Sequence, residues 1–201
     1  MLRTPIHVNI ILALATIMAN VAEGRAQVTG KAPSAKSLIA AAVKLAKKEG
    51  KQVFLQFTAS WCVPCHLTEE TLRQPRYATI LSKYYVFAKI DVQDRSKRPD
   101  LENEGGEEVM TALFGSEKTL PDFAILDSDG CLRANFAVEV QETKIHLSPL
   151  QGYPFIGAYL RMLHAATPKF SMNDFVALRK VLEDDDKKER SQHLKPSSGK
   201  G

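Results

Sequence analysis

The chain has 201 residues, 44% of them hydrophobic, 25% charged and 7% aromatic, the make-up of one ordinary globular domain. Three cysteines are too few for a disulfide scaffold or a four-cysteine zinc site, and eleven glycines with ten prolines exclude collagen-like or Pro/Gly-dominated disorder. A formal net charge of +4, with no Lys/Arg cluster outside the tail, leaves no nucleic-acid footprint.

Residues 1–26 have the three-part layout of a secretory signal. Arg3 is the early charge, 10–19 are apolar apart from Thr16, and the small residues Ala22, Gly24 and Ala26 follow; Ala26 offers the best cleavage site, with Ala22, Gly24 and an uncleaved anchor as alternatives. The apolar run is short for a membrane span and no second long run follows, so the mature chain is expected to have no span and to be periplasmic or secreted. A globular domain is expected over 27–183.

Leu38, Ala41, Ala42 and Leu45 recur at helical spacing, predicting a helix over 37–48 with Ser37 as N-cap and Gly50 beyond its end. Val53, Phe54, Leu55 and Phe57 predict a buried strand over 52–57. A helical pattern over 65–82, bent near Pro75, and a strand over 84–92 complete a βαβ unit. A polar loop is expected over 93–106, then a short helix over 107–114, a strand over 122–127, a turn at Ser128-Asp129-Gly130 and a strand over 131–140. The order predicts an α/β fold with a mixed central sheet flanked by helices. Two further helices are predicted over 153–165 and 172–182, the second opened by Ser171 with Asp174. Residues 184–201 are charged and then Ser/Gly-rich, with little to bury, and read as a disordered tail.

The chemistry lies in Cys62-Val63-Pro64-Cys65, between a strand and a helix. Two intervening residues let the thiols meet within one turn, and a helix N-terminus stabilises a thiolate through its dipole and free N–H groups. Cys62 is then the nucleophile that forms a mixed disulfide, and Cys65 the thiol that resolves it. Competing readings are a metal knuckle, a purely structural bridge or two chance core cysteines. Zinc needs four ligands, and only His66 and distant Cys131 could join the pair; a bridge over so small a loop removes little unfolded-state entropy. Two thiolates with His66 also suit Cu(I), which keeps a copper carrier in view, although adjacent helical residues point in different directions. A binding module without turnover is a third reading. Nothing in the sequence resembles a nicotinamide or flavin site, and no cofactor is expected.

Phe57 through Cys65 (FTASWCVPC), Thr119-Leu120-Pro121, and the order βαβ then ββα resemble the thioredoxin superfamily over about residues 35–165. The strand 53–57, the run Glu69-Glu70-Thr71-Leu72 and the stretch Ala88-Lys89-Ile90-Asp91-Val92 are most similar to secreted bacterial thioredoxin-like proteins and to the periplasmic C-terminal domain of the membrane disulfide-interchange reductase. The resemblance implies a thioredoxin fold with an extra C-terminal helix and thiol–disulfide exchange on exported proteins, with reduction favoured. A membrane thiol:disulfide reductase is the electron donor it implies. It makes Pro121 a cis-proline opposite the pair, leaving Leu120 to meet an extended substrate segment, and puts Trp61 on the docking surface. Taken from the residues alone, Pro121 could simply start a strand and Trp61 fill a corner. Val63 and Pro64 would tune the redox poise, and Pro64 also suits the first turn of a helix.

One departure from the pattern concerns the buried acid that thioredoxins carry six positions before the first cysteine, because Gln56 stands there. Lys89 matches the lysine that accompanies that acid, so it must snorkel, find another partner or carry a lowered pKa. Glu69, Glu70 and His66 are alternative bases, each equally an exposed helix residue. Cys131 is the odd thiol, expected to be partly buried as a small hydrophobe. The surfaces over 95–106 and 153–165 carry no assigned role.

Overall fold

The computed structural model describes residues 31–94, 98–116, 118–140, 143–146 and 155–193. The expected signal over 1–26, positions 95–97 of the expected loop and the chain end at 194–201 lie outside the described residues.

β1 (Gln52–Thr58) is buried at every residue after Gln52, as its unbroken apolar run requires of a strand covered on both faces. β2 (Tyr85–Asp91) lies parallel to it, from Gln52 opposite Tyr85 to Thr58 opposite Asp91. β3 (Asp122–Leu126) runs antiparallel on the other side, with Val53 opposite Leu126 and Phe57 opposite Asp122. β4 (Leu132–Asn135) pairs antiparallel with β3, giving a mixed four-stranded sheet in the order β2-β1-β3-β4.

Alternation along β1 divides the core in two. Val53, Leu55 and Phe57 pack with Ala42 and Ala46 of α1 (Ala35–Glu49) and with Met110 and Phe114 of α4 (Gly106–Phe114). Phe54 faces the other way, its ring 5.7 Å from Tyr85, 5.5 Å from Phe123 and 5.9 Å from Phe136. That second core is closed by α2 (Val63–Arg73), α3 (Pro75–Leu81), α5 (Ile156–Ala166) and α6 (Met172–His193) through Leu72, Tyr77, Tyr159, Leu163, Leu178 and Leu182.

Several boundaries differ from the sequence reading, each for a local reason. The N-cap of α1 is Ser34, whose Oγ accepts the Ser37 N–H at 3.2 Å, while Ser37 Oγ donates to the Ser34 carbonyl at 2.8 Å. The expected bent helix over 65–82 is two helices. Gln74, preceding a proline, is extended at φ −61° and ψ 139°, and Pro75 starts α3 where its missing N–H is harmless. The expected strand over 131–140 is also two. It breaks at buried Phe136, whose N–H still reaches the Phe123 carbonyl, and β5 (Ala137–Val140) then pairs with β6 (Thr143–His146) in a separate two-stranded sheet.

The largest difference is α6, which continues to His193 through ten residues expected to be disordered. Leu178 and Leu182 anchor its first half in the core. Beyond them Asp185 accepts the Tyr77 hydroxyl at 2.6 Å and pairs with Arg76, while Arg179–Glu183 and Asp186–Arg190 are i,i+4 ion pairs. The capping pattern is as expected, Ser171 Oγ accepting the Asp174 N–H at 3.1 Å. Among the described residues no helix is long and apolar enough to cross a membrane.

Candidate functional site

The carboxyl end of β1 runs into Ala59, Ser60 and Trp61 and then into Cys62, which is the N-cap of α2. Pro64 sits in the first helical turn, as its chemistry prefers. Cys62 Sγ accepts the Cys65 backbone N–H at 3.2 Å, and the Cys62 carbonyl accepts from Cys65 at 3.1 Å and from His66 at 3.3 Å. The sulfur of Cys62 therefore occupies the place where a helix start holds negative charge, the arrangement that lowers a thiol pKa. Cys62 and Cys65 are joined as a disulfide.

In this oxidised state both cysteines are covered, Cys62 being 2% exposed and Cys65 fully buried. Ala59 and Leu120 pack over the pair. Leu120 leads into Pro121 through a cis peptide bond, in keeping with the expected cis-proline. Around this spot the apolar side chains of Trp61 and Val63 remain 45% and 65% exposed.

Beneath the pair, Gln56 is buried and its Nε2 donates to the Cys65 carbonyl at 3.4 Å. It holds the backbone of the second cysteine and offers no carboxyl for proton transfer. Lys89, its register neighbour on β2, lies 3.8 Å from Glu69 and 4.0 Å from Asp91. Of the choices open to this lysine, the structure shows pairing with other acids. Glu69 also accepts from Arg73 at 2.5 Å, and Glu69, Arg73 and Lys89 line a groove of about 410 Å³ together with Leu72 and Phe87. Burial raises the Asp91 carboxyl pKa; Lys89 works against the rise, Asp94 and Glu69 add to it, and His66 opposes it. Glu70 is exposed.

His66 is exposed on α2, with its Nε2 3.1 Å from the Ser60 carbonyl. Because a carbonyl only accepts, Nε2 carries the proton of that contact. The ring thus turns toward the preceding loop, and among the described residues no group of three His, Cys, Asp or Glu side chains is arranged to hold a metal ion. Cys131 is exposed, contrary to the partial burial expected of it, because the turn before β4 ties its N–H to Asp127 Oδ1 at 2.9 Å and leaves the side chain outside.

Sequence reasoning missed Asp94. Assigned to a polar loop, it is fully buried, and it takes the Ser60 N–H at 2.8 Å and the Ser60 hydroxyl at 2.5 Å. Its neighbour Gln93 accepts the Trp61 indole N–H at 3.0 Å. No sequence signal separates Asp94 from the other loop acids, because its role depends on β2 bringing the loop alongside residue 60.

A thioredoxin-like family model matches residues 34–128. No curated protein sequence matches the chain. Among solved structures, a disulphide isomerase from Xylella fastidiosa Temecula1 is 24% identical over 50% of this chain and 72% of its own, with a TM-score of 0.42. The DsbD C-terminal domain of Neisseria meningitidis, solved in the oxidised form, is 21% identical over 52% of this chain and 84% of its own, TM-score 0.38. A structure titled DsbH oxidoreductase is 14% identical over 76% and 96%, TM-score 0.39. At such scores the structural likenesses carry no weight of their own, and the assignment rests on the matched segment with the strand order and the cysteine pair described above. Residues 34–128 form a thioredoxin-like domain.

Proposed function

We propose that the chain is a thiol–disulfide oxidoreductase of an extracytoplasmic space, acting on exported proteins with reduction slightly favoured over oxidation. The observation that carries this reading is Cys62 at the N-cap of α2, its sulfur on the Cys65 N–H, with Leu120 packed on the pair. In the reduced protein the Cys62 thiolate attacks one sulfur of a substrate disulfide, forming a mixed disulfide and expelling the other sulfur as a thiolate that takes up a proton. Cys65 then attacks Cys62 Sγ, releases the second substrate thiol and restores the Cys62–Cys65 disulfide. Two electrons pass to the substrate in each cycle.

Trp61 and Val63 form the apolar rim on which a substrate segment docks, and the backbone at Leu120 pairs with it beside Cys62. Val63 and Pro64 tune the potential through the first turn of α2. Gln56 and Lys89 tune it from below, where the acid of the thioredoxin pattern is replaced by an amide. Each reductive cycle leaves the pair oxidised, so a dithiol donor must recharge it, and a membrane thiol:disulfide reductase fits an exported protein. Export itself follows from the signal-like sequence over 1–26.

Trapping tests the reading. With Cys65→Ser in the full chain, mixed disulfides to Cys62 should accumulate on exported proteins and vanish in Cys62→Ser,Cys65→Ser. Absence of any Cys62-dependent adduct would contradict it.

A further inference from the structure

The segment just before the nucleophile is held from the side. All three polar groups of Ser60 are engaged: its N–H and hydroxyl donate to the two oxygens of Asp94, at 2.8 and 2.5 Å, and its carbonyl meets His66 Nε2 at 3.1 Å. Trp61, the next residue, gives its indole N–H to the Gln93 carbonyl at 3.0 Å. Residues 93 and 94 thus grip residues 60 and 61 in parallel. Gln93 adopts a left-handed backbone, φ 59°, the one positive-φ non-glycine among the described residues, and such a conformation costs about 1 to 2 kcal/mol for a residue with a Cβ. Strained backbone of this kind persists where the surroundings over-determine it. Here the surroundings are the two grips on Ser60 and Trp61, together with the Arg98 N–H on the Asp94 carbonyl at 2.7 Å.

A buried carboxylate is costly to keep unless its oxygens are satisfied, and both oxygens of Asp94 are spent on one residue two positions before Cys62. We propose that Asp94 is a positioning residue for the cysteine pair: by fixing Ser60 it sets where Cys62 stands against the first turn of α2. The inference rests on the oxidoreductase reading and deepens it. Cys62 benefits from the helix start only while its sulfur lies on the Cys65 N–H, and that contact needs the chain entering the cap to be held. Without the grip, Ser60 and Trp61 are free to drift and the sulfur leaves its donor for part of the time. The Cys62 thiol then becomes less acidic and its attack slower. A direct influence of the Asp94 charge on the thiolate has the opposite sign, since a neighbouring negative charge disfavours ionisation.

The two signs allow a decisive experiment on the full reduced chain carrying Cys131→Ser, read by the ultraviolet absorbance of the Cys62 thiolate against pH and by the rate of attack on a small aromatic disulfide. Asp94→Ala should move the thiolate titration upward by about half a unit, roughly threefold in thiolate population at a fixed pH. Asp94→Asn should titrate like the parent, because its carbonyl accepts the Ser60 N–H and its amide donates to a turned Ser60 hydroxyl. Equal downward shifts in both variants would assign Asp94 a charge effect and overturn the proposal. An unmoved titration in a folded Asp94→Ala, with only a lower Tm, would overturn it too. Should Asp94→Ala fail to fold, Ser60→Ala removes one of the two bonds and should shift the titration the same way by less; no shift there counts against the proposal. If the parent itself attacks no disulfide, the oxidoreductase reading falls first, an outcome separate from a working parent whose Asp94 variants do not differ.

Discussion

The two ends of β1 carry the chain's described thiols in opposite circumstances. At the carboxyl end, Cys62 and Cys65 are covered, bonded to each other and set on a helix start. Val53 pairs with Leu126, so the turn 127–131 lies at the amino end of β1, and there Cys131 is exposed and unbridged. Polar side chains are buried at both ends, to different effect. At the amino end Gln52, Thr167 and Tyr85 satisfy one another, with Thr167 Oγ1 2.5 Å from Gln52 Oε1 and 2.7 Å from the Tyr85 hydroxyl, and this network ties α5 to the sheet. At the carboxyl end Asp94 and Gln56 direct their hydrogen bonds to the chain around the cysteines. The side-chain type does not decide a cysteine's chemistry. What decides it is whether the backbone presents a donor and a second thiol.

This contrast can be broken most severely by substitution at the cysteines. Cys62→Ser should abolish reduction of a model protein disulfide, whereas Cys131→Ser should leave the turnover rate within error. A Cys131→Ser variant that lost turnover would erase the distinction between the two ends. Next in size is the aromatic core beneath both. Phe54→Ala removes a fully buried ring packed on four others and should lower unfolding free energy by about 3 to 5 kcal/mol in urea titrations. Thr167→Val strips the amino-end network of its hydroxyl, leaving Gln52 and Tyr85 short of a partner. A loss of about 1 to 3 kcal/mol is expected, with no change in the redox potential of the pair. A shifted potential would mean the two ends are coupled.

A smaller effect should appear in the pH dependence of stability. Asp91 has a folded-state pKa above its unfolded value, chiefly through burial, so it binds a proton more readily when folded. Its contribution to stability is therefore greatest below the unfolded value and is lost as pH rises through the folded value. Asp91→Asn should gain stability relative to the parent at about pH 7 compared with about pH 3, and the opposite trend would refute the assignment. Smallest of all, Gln93→Gly relieves the left-handed strain at the cost of unfolded-state freedom and should raise stability by less than about 1 kcal/mol.

Much of this architecture was legible because it depends on short-range pattern. The apolar run at 53–57, the Pro64 that suits a helix start and the Ser171/Asp174 cap are local signals, and the structure follows them. The misreadings arose where distant contacts override local preference. α6 runs past Leu182 because Asp185 finds Arg76 and Tyr77 on another helix, contacts that a charged stretch does not advertise. The strand over 131–140 divides at Phe136 because that side chain belongs to the core of the first sheet while the next residues pair elsewhere. In the site, the cysteines and Leu120-Pro121 could be read from their motifs. Asp94 could not, because its partner lies 34 positions earlier in the chain. For Lys89 the sequence leaves snorkelling, a new partner or a lowered pKa open, and only the placing of α2 beside β2 shows that Glu69 is a partner.

The central claim is that Cys62 and Cys65 form a reversible two-electron couple poised for reduction. Its most direct test is the reduction potential of the full chain carrying Cys131→Ser, equilibrated against glutathione buffers. The account predicts a single dithiol–disulfide transition near about −270 mV, in the range of reductants that must be recharged. A value near about −120 mV would contradict the reductive direction, and the absence of any reversible transition would contradict the oxidoreductase reading itself.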